Sequence, residues 1–170
     1  MFGHGGAAAG EFGDIGSAET LQRRARALWA GRDVYYQPRA AHWLDGTIAW
    51  NRGDLDLAVE ETRKGAQELL AMDAWPIAAL ALRDLADMLA EAGREREAAA
   101  AEANLAATVR LLDSPFLRSL AEFAAPATCD LLGKLGYGVL RARSLAASGR
   151  TAEAAAALEK LGAVRHRDRL

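Results

Sequence analysis

Apolar residues recur at intervals of three and four along most of the chain, on both sides of a few glycines. Steps of three and four place side chains on one face of an α-helix. The clearest case is Gly93, which is preceded by Ile77, Ala81, Leu85, Met88 and Ala92 and followed by Ala98, Ala101, Leu105, Val109 and Leu112. The pattern therefore predicts a helix on each side of the glycine, each with one buried face.

The arrangement around Gly93 is repeated. Gly13, Gly53, Gly93 and Gly149 are each followed by a charged residue and, five positions after the glycine, by Ala18, Ala58, Ala98 and Ala154; the intervals between the glycines are 40, 40 and 56 residues. The residue just past a helix end often takes a left-handed conformation, which glycine adopts at little cost. The sequence thus predicts repeated helical hairpins with an inserted element in the longest interval.

The insertion and the start of the chain depart from the regular unit. We expect an extra short helix from Pro115 to about Ala125 that is broken by Pro126, and three glycines within residues 133–138 disfavour a continuous helix there. In the first unit we expect only the second helix, from Ile15 to about residue 30.

These motifs resemble tetratricopeptide-type helical repeats, in which a glycine turn is followed five residues later by alanine. The small residues that the family uses for helix contact, twelve positions before that alanine, are Gly46, Ala86 and Ala142 here. The family's usual proline after the second helix is replaced by Leu70, Arg110 and His166, and the period of 40 residues exceeds the family's usual length. The longer, degenerate repeats of large ATP-dependent bacterial transcription regulators of the maltose-regulator type are the more similar group.

The resemblance covers residues 13–163 and implies an all-α solenoid, a right-handed superhelix of helical hairpins with about seven to eight helices. Residues 1–12 are interpreted as a flexible lead-in or an expression remnant, and residues 164–170 as a charged tail. The ends of a solenoid need polar caps. Because these ends have poor ones, we expect either an excised part of a larger regulator or a homodimer that covers a terminal face.

The resemblance also implies a concave groove, lined by the first helix of each unit, in which ligands bind. Carried over by position, the groove residues are Trp43, Thr47, Trp50, Asn51, Arg83, Asp87, Glu91 and Arg143. Alternatively, Arg83, Asp87 and Glu91 form an ordinary solvated stripe.

The helix with the two tryptophans has two apolar faces. Helical geometry places Trp43 and Trp50 on one face and Leu44 and Ile48 on another. Such a helix is either sandwiched between neighbours or carries a binding surface. In the alternative to a groove, the tryptophans pack on residues 28 and 29 of the preceding helix.

Composition narrows the partners. The formal charge of −2 gives no global field for nucleic acid or an anionic membrane. The arginine-rich segments 23–26 and 165–169 lack interleaved stacking aromatics, which disfavours nucleic-acid binding. The single cysteine, Cys129, cannot form an intrachain disulfide, and no apolar run reaches the length of a membrane span. We therefore expect a cytoplasmic protein with no membrane partner.

Signatures of catalysis are thin. His4, His42 and His166 do not occur at metal-ligand spacing with a second ligand, and Gly133-Lys134 lacks the rest of a phosphate loop. The sequence predicts no catalytic residue, cofactor or metal. The leading hypothesis is a noncatalytic module that binds a protein or peptide partner in a bacterial signalling or transcription-regulatory system. The alternatives are a small-molecule effector-sensing domain and a dimerisation or spacer element.

Overall fold

The computed structural model describes residues 14–30 and 37–168, which form helices and, within these ranges, no strand. The helices are α1 (Ile15–Trp29), α2 (Gln37–Arg52), α3 (Leu55–Ala71), α4 (Trp75–Glu91), α5 (Glu95–Arg110), α6 (Pro115–Ala121), α7 (Pro126–Lys134), α8 (Gly138–Ala147), α9 (Thr151–Leu161) and the single turn α10 (Val164–Arg167). Each helix packs against its neighbours in the chain, as in a helical repeat solenoid. The prediction of an all-α fold is confirmed, with more helices in the described ranges than the seven to eight expected.

The predicted glycine turns join α2 to α3, α4 to α5 and α8 to α9. Gly53, Gly93 and Gly149 have φ angles of 86°, 70° and 80°, the left-handed region that favours glycine. The residue after each glycine donates its backbone N–H to a carbonyl five positions back, as in Arg94 N to Leu89 O at 2.9 Å. The first glycine of the series, Gly13, lies outside the described residues.

Helix α2 is sandwiched between its neighbours. Its Leu44 and Ile48 are buried against Ala18 of α1, whereas Trp50 is buried with residues of α4 such as Leu85. Of the two explanations for a helix with two apolar faces, sandwiching is the one observed. The tryptophans pack toward α4, and Leu28, one of the two residues on which the alternative placed them, is an exposed side chain.

The backbones of α2 and α3 approach each other closely at two glycines. A Cβ atom on Gly46 would lie 2.9 Å from the Ala58 carbonyl oxygen and would also overlap the Thr62 hydroxyl, and one on Gly65 would lie 2.7 Å from the backbone nitrogen of Trp43. The repeat pattern predicts a small residue at position 46, and the direct contact between the two helices explains why one is needed there. This approach fixes how side chains of α2 and α3 meet.

The insertion consists of two helices. Ser114 caps α6 by accepting a hydrogen bond from Leu117 N, and α6 ends at Ala121, not near residue 125. Pro126 begins α7, where its missing N–H costs nothing, so the expectation that it merely breaks a helix was incomplete. Helix α7 continues through Gly133, and the break comes at Gly136, whose φ is 80°.

The far end of the chain returns to the helix stack. His166 of α10, in the segment interpreted as a charged tail, is 5% exposed. None of the described helices combines the length and the low polarity needed to cross a bilayer.

We predict that Gly46→Ala destabilises the fold by about 1–3 kcal/mol, because the added methyl overpacks the contact between α2 and α3. Gly16→Ala is the matched control: it adds the same methyl within a helix, where the nearest atom lies 4.0 Å away. That variant should be neutral or gain up to about 1 kcal/mol from helix propensity. Urea unfolding of both variants measures the difference, and equal effects would contradict the contact.

Candidate functional site

The first helices of three hairpins, α2, α4 and α8, meet in a cluster of aromatic and charged side chains. We call this the first-helix cluster, and it comprises Trp43, Trp50, Arg83, Asp84, Asp87, Glu91 and Arg143. Six of the eight predicted groove residues belong to it, and Asp84 is a member that was not predicted. The cluster is largely covered by the chain itself, since Trp50 and Arg83 are 4% and 6% exposed.

Asp84 connects the three helices. One carboxylate oxygen accepts a hydrogen bond from Trp43 Nε1 at 2.8 Å. The other lies 2.8 Å from Arg143 Nη2. A single side chain of α4 thereby satisfies a partly buried indole N–H of α2 and a guanidinium of α8.

Trp50 is enclosed on several sides. Its Nε1 donates to Glu91 Oε2 at 2.7 Å. The Arg143 guanidinium carbon lies 5.3 Å from the centre of the indole ring, within the range of a cation–π interaction. His166 meets the ring edge-on at 5.7 Å between centroids. The tryptophan thus joins α2, α4, α8 and α10.

The Arg143 guanidinium is held by two aspartates. Besides its contact with Asp84, it donates to Asp87 Oδ2 from Nη2 at 2.5 Å and from Nε at 3.1 Å. Burial by itself would raise the pKa of Asp87, but the charges of Arg143 and Arg83 outweigh it, and the pKa lies below its ordinary value. Burial also opposes the charge of Arg143, yet Asp87 and Asp84 raise its pKa, so Arg143 and Asp87 are both ionised at neutral pH.

Arg83 extends the network toward the insertion. It pairs with Asp87 one turn along α4 and reaches Glu102 of α5 at 3.5 Å. Its guanidinium carbon lies 5.0 Å from the ring centre of Phe123, between α6 and α7. Arg83, Asp84 and Asp87 of α4 therefore form a largely buried ion network, whereas Glu91 is exposed. The alternative of a solvated stripe was wrong for Arg83.

The two remaining predicted groove residues bond within their own helix. Thr47 Oγ1 donates to the Trp43 carbonyl at 3.0 Å, and Asn51 Nδ2 donates to the Thr47 carbonyl at 2.9 Å. Asn51 is fully buried, and its Oδ1 has no hydrogen-bond partner among the described residues. The structure gives these two side chains no surface on which a partner could bind.

The spacing of residues in the sequence could have identified Asp84 as a partner of Trp43. Trp43 and Trp50 are seven residues apart, and so are Asp84 and Glu91. Both indoles bond to the carboxylate 41 residues further on. Successive first helices therefore pair with an offset of one repeat plus one residue, whereas positional transfer from the repeat assumed 40.

A second polar group lies between α2 and α3. One ligand atom each from His42, Asp45 and Glu61 all lie within 4.8 Å of one another, a grouping that could hold a metal ion. Sequence spacing does not reveal this group, because Glu61 follows His42 by 19 residues, across the hairpin turn.

We predict that Arg143→Met destabilises the protein by about 3–5 kcal/mol, because it leaves two largely buried carboxylates without their shared cation. Adding Asp87→Asn to this variant should recover part of the loss. Arg150→Met is the control, since Arg150 pairs with Glu153 on the surface and its loss should change little. Chemical unfolding of the four chains tests this; an unchanged stability of Arg143→Met would contradict the role assigned to the network.

Asp87 should also make the free energy of unfolding depend on pH. Its folded-state pKa is lower than that of the unfolded chain, so its ion pairs stabilise the fold above about pH 4 and this contribution is lost as the pH falls through the folded pKa. The difference in unfolding free energy between the wild type and Asp87→Asn should therefore shrink below about pH 4. Urea titrations over a pH series measure it, and a difference that grows on acidification would disprove the assignment.

Comparison with known proteins places the chain beside no relative. No protein-family model, curated protein or solved structure matches it. The interpretation of the site therefore depends on the chain's own contacts.

Proposed function

We propose that this chain is a noncatalytic helical-repeat module that binds a protein or peptide partner. In this proposal the first-helix cluster recognises an arginine side chain of the partner. The observation that carries the proposal is the setting of Arg143. Two carboxylates, Asp84 and Asp87, hold its guanidinium beside the ring of Trp50. Carboxylates that accept several guanidinium N–H bonds, together with an aromatic ring, are what proteins use to recognise arginine.

The charge of the cluster supports a cationic ligand. Asp84, Asp87 and Glu91 supply three acidic groups, and Arg83 and Arg143 supply two basic ones. This leaves an excess of one negative charge. Asp87 is 25% exposed, and Glu102, which lies beside the cluster on α5, is 59% exposed, so part of the cluster is open to an incoming cation.

In this proposal Arg143 takes the place of the partner's arginine when no partner is bound. Binding then requires Arg143 of α8 to release the aspartates. The apparent affinity for the partner is therefore lowered in proportion to the fraction of molecules in which Arg143 has released them. The resemblance to the degenerate repeats of bacterial transcription regulators favours a role in a signalling or regulatory system. Effector sensing and dimerisation, the other functions that the sequence suggests, stay predictions.

Arginine-containing peptides test the proposal. Each is compared with the same peptide in which citrulline, of equal shape but uncharged, replaces arginine. We expect the wild type to prefer the arginine form. In Arg143→Lys the cation is kept but the fork of N–H groups is lost, and this variant should bind the arginine peptides roughly tenfold more tightly than the wild type. Isothermal titration calorimetry on a peptide library measures the preference for arginine over citrulline and the affinity of Arg143→Lys relative to the wild type.

The control variant is Arg150→Lys, which makes the same change at a surface pair and should bind like the wild type. The proposal fails if neither the wild type nor Arg143→Lys distinguishes arginine from citrulline. It also fails if Arg150→Lys increases the affinity as much as Arg143→Lys does.

A further inference from the structure

The polar group at the contact between α2 and α3 is independent of the first-helix cluster. His42 and Asp45 lie three residues apart on one face of α2, and Glu61 belongs to α3. A Cβ atom on Gly65 would lie 3.3 Å from that of His42, so the two helices are in backbone contact here. Because the helices approach so closely, the imidazole of one reaches the carboxylate of the other.

The spacing of the donor atoms suits a small cation. The three ligand atoms lie within 4.8 Å of one another, and His42 Nδ1 is 2.6 Å from Glu61 Oε2. Zinc bonds of about 2.0–2.2 Å place tetrahedral ligands roughly 3.4 Å apart. Shifts of the donor atoms by about an ångström, through side-chain rotation, therefore suffice to form a site. The ion then takes the place of the proton between His42 and Glu61.

Asp45 provides an independent indication. Its Oδ1 is shielded from solvent and has no hydrogen-bond partner among the described residues. A shielded carboxylate oxygen without a donor is costly, and a cation bound at this point would remove that cost.

We propose that His42, Asp45 and Glu61 form a binding site for one divalent first-row transition-metal ion, with Zn²⁺ as the ion that fits best. One imidazole nitrogen and two carboxylate oxygens suit zinc, whereas magnesium and calcium prefer oxygen ligands alone. Helical bundles build metal sites in this way, from residues three apart on one helix and a carboxylate on its neighbour. Water completes the coordination, and the ion ties α2 to α3.

Access and charge agree with this site. The side chains of His42, Glu61 and Asp45 are 22%, 23% and 18% exposed, which lets an ion and its water ligands enter. Arg26 pairs with Asp45 but is 48% exposed. It competes with the ion for the same carboxylate and can turn into solvent when the ion binds.

The test uses the full chain and Zn²⁺ itself. Isothermal titration calorimetry of the metal-free protein should give one Zn²⁺ per chain, with no comparable binding of Mg²⁺. Glu61→Gln and Asp45→Asn keep the side-chain shapes, and each should weaken binding at least about tenfold. His42→Ala should do the same. Arg26→Ala removes the competing charge and should strengthen binding, a change that a purely structural role for these residues would not produce.

His4→Ala is the matched control for incidental binding by another histidine, and its affinity should equal that of the wild type. X-ray absorption of the zinc-loaded wild type should show nitrogen and oxygen ligands with one imidazole, a readout that needs no variant to fold. The proposal is overturned if the wild type shows no saturable one-to-one binding at about 100 µM Zn²⁺. It is also overturned if Glu61→Gln binds Zn²⁺ as tightly as the wild type, or if His4→Ala loses zinc affinity to the same extent as the site variants.

Discussion

The guanidinium of Arg143, held between Asp84 and Asp87, determines how the helices after the insertion lie on those before it. The ion pair joins α8 to α4, and Asp84 passes the connection to α2 through the indole of Trp43. Charges in such a setting cost several kcal/mol each to desolvate, so they are tolerated only in a geometry that satisfies them all. A displacement of α8 along α4 would remove the Arg143 cation from both carboxylates and leave Asp87 with Arg83 alone, which favours one arrangement of the helices.

This network depends in turn on the repeat. The glycine turns at Gly53 and Gly93 set the lengths of α2 and α4 and the angle at which each hairpin returns. Gly46 lets α3 contact α2 without a side chain between them, so that α2 can bury one face on α1 and another on α4. Only with α2 in this position do its two indole N–H groups meet the two carboxylates of α4.

Helix α2 thus serves two polar groups on different sides. Trp43 points toward α4 and the arginine network, whereas its neighbour His42 meets Glu61 of α3. The proposed arginine-binding function and the proposed zinc site use different side chains of the same helix. A metal that ties α2 to α3 would make the surface on which Arg143 rests more rigid, and it would do so without contacting that surface.

Much of the architecture was determined by the sequence alone, because local rules govern it. Apolar spacing predicted the helices, glycine tolerance of positive φ predicted the turns after α2, α4 and α8, and small residues marked the helix contacts. The sequence also brought forward most members of the first-helix cluster. It did not predict Asp84, the closure of the cluster by Arg143 and His166, or the meeting of His42 with Glu61. These features depend on the offset and the distance between helices, which arise from the packing of whole faces, so only the tertiary structure decided them.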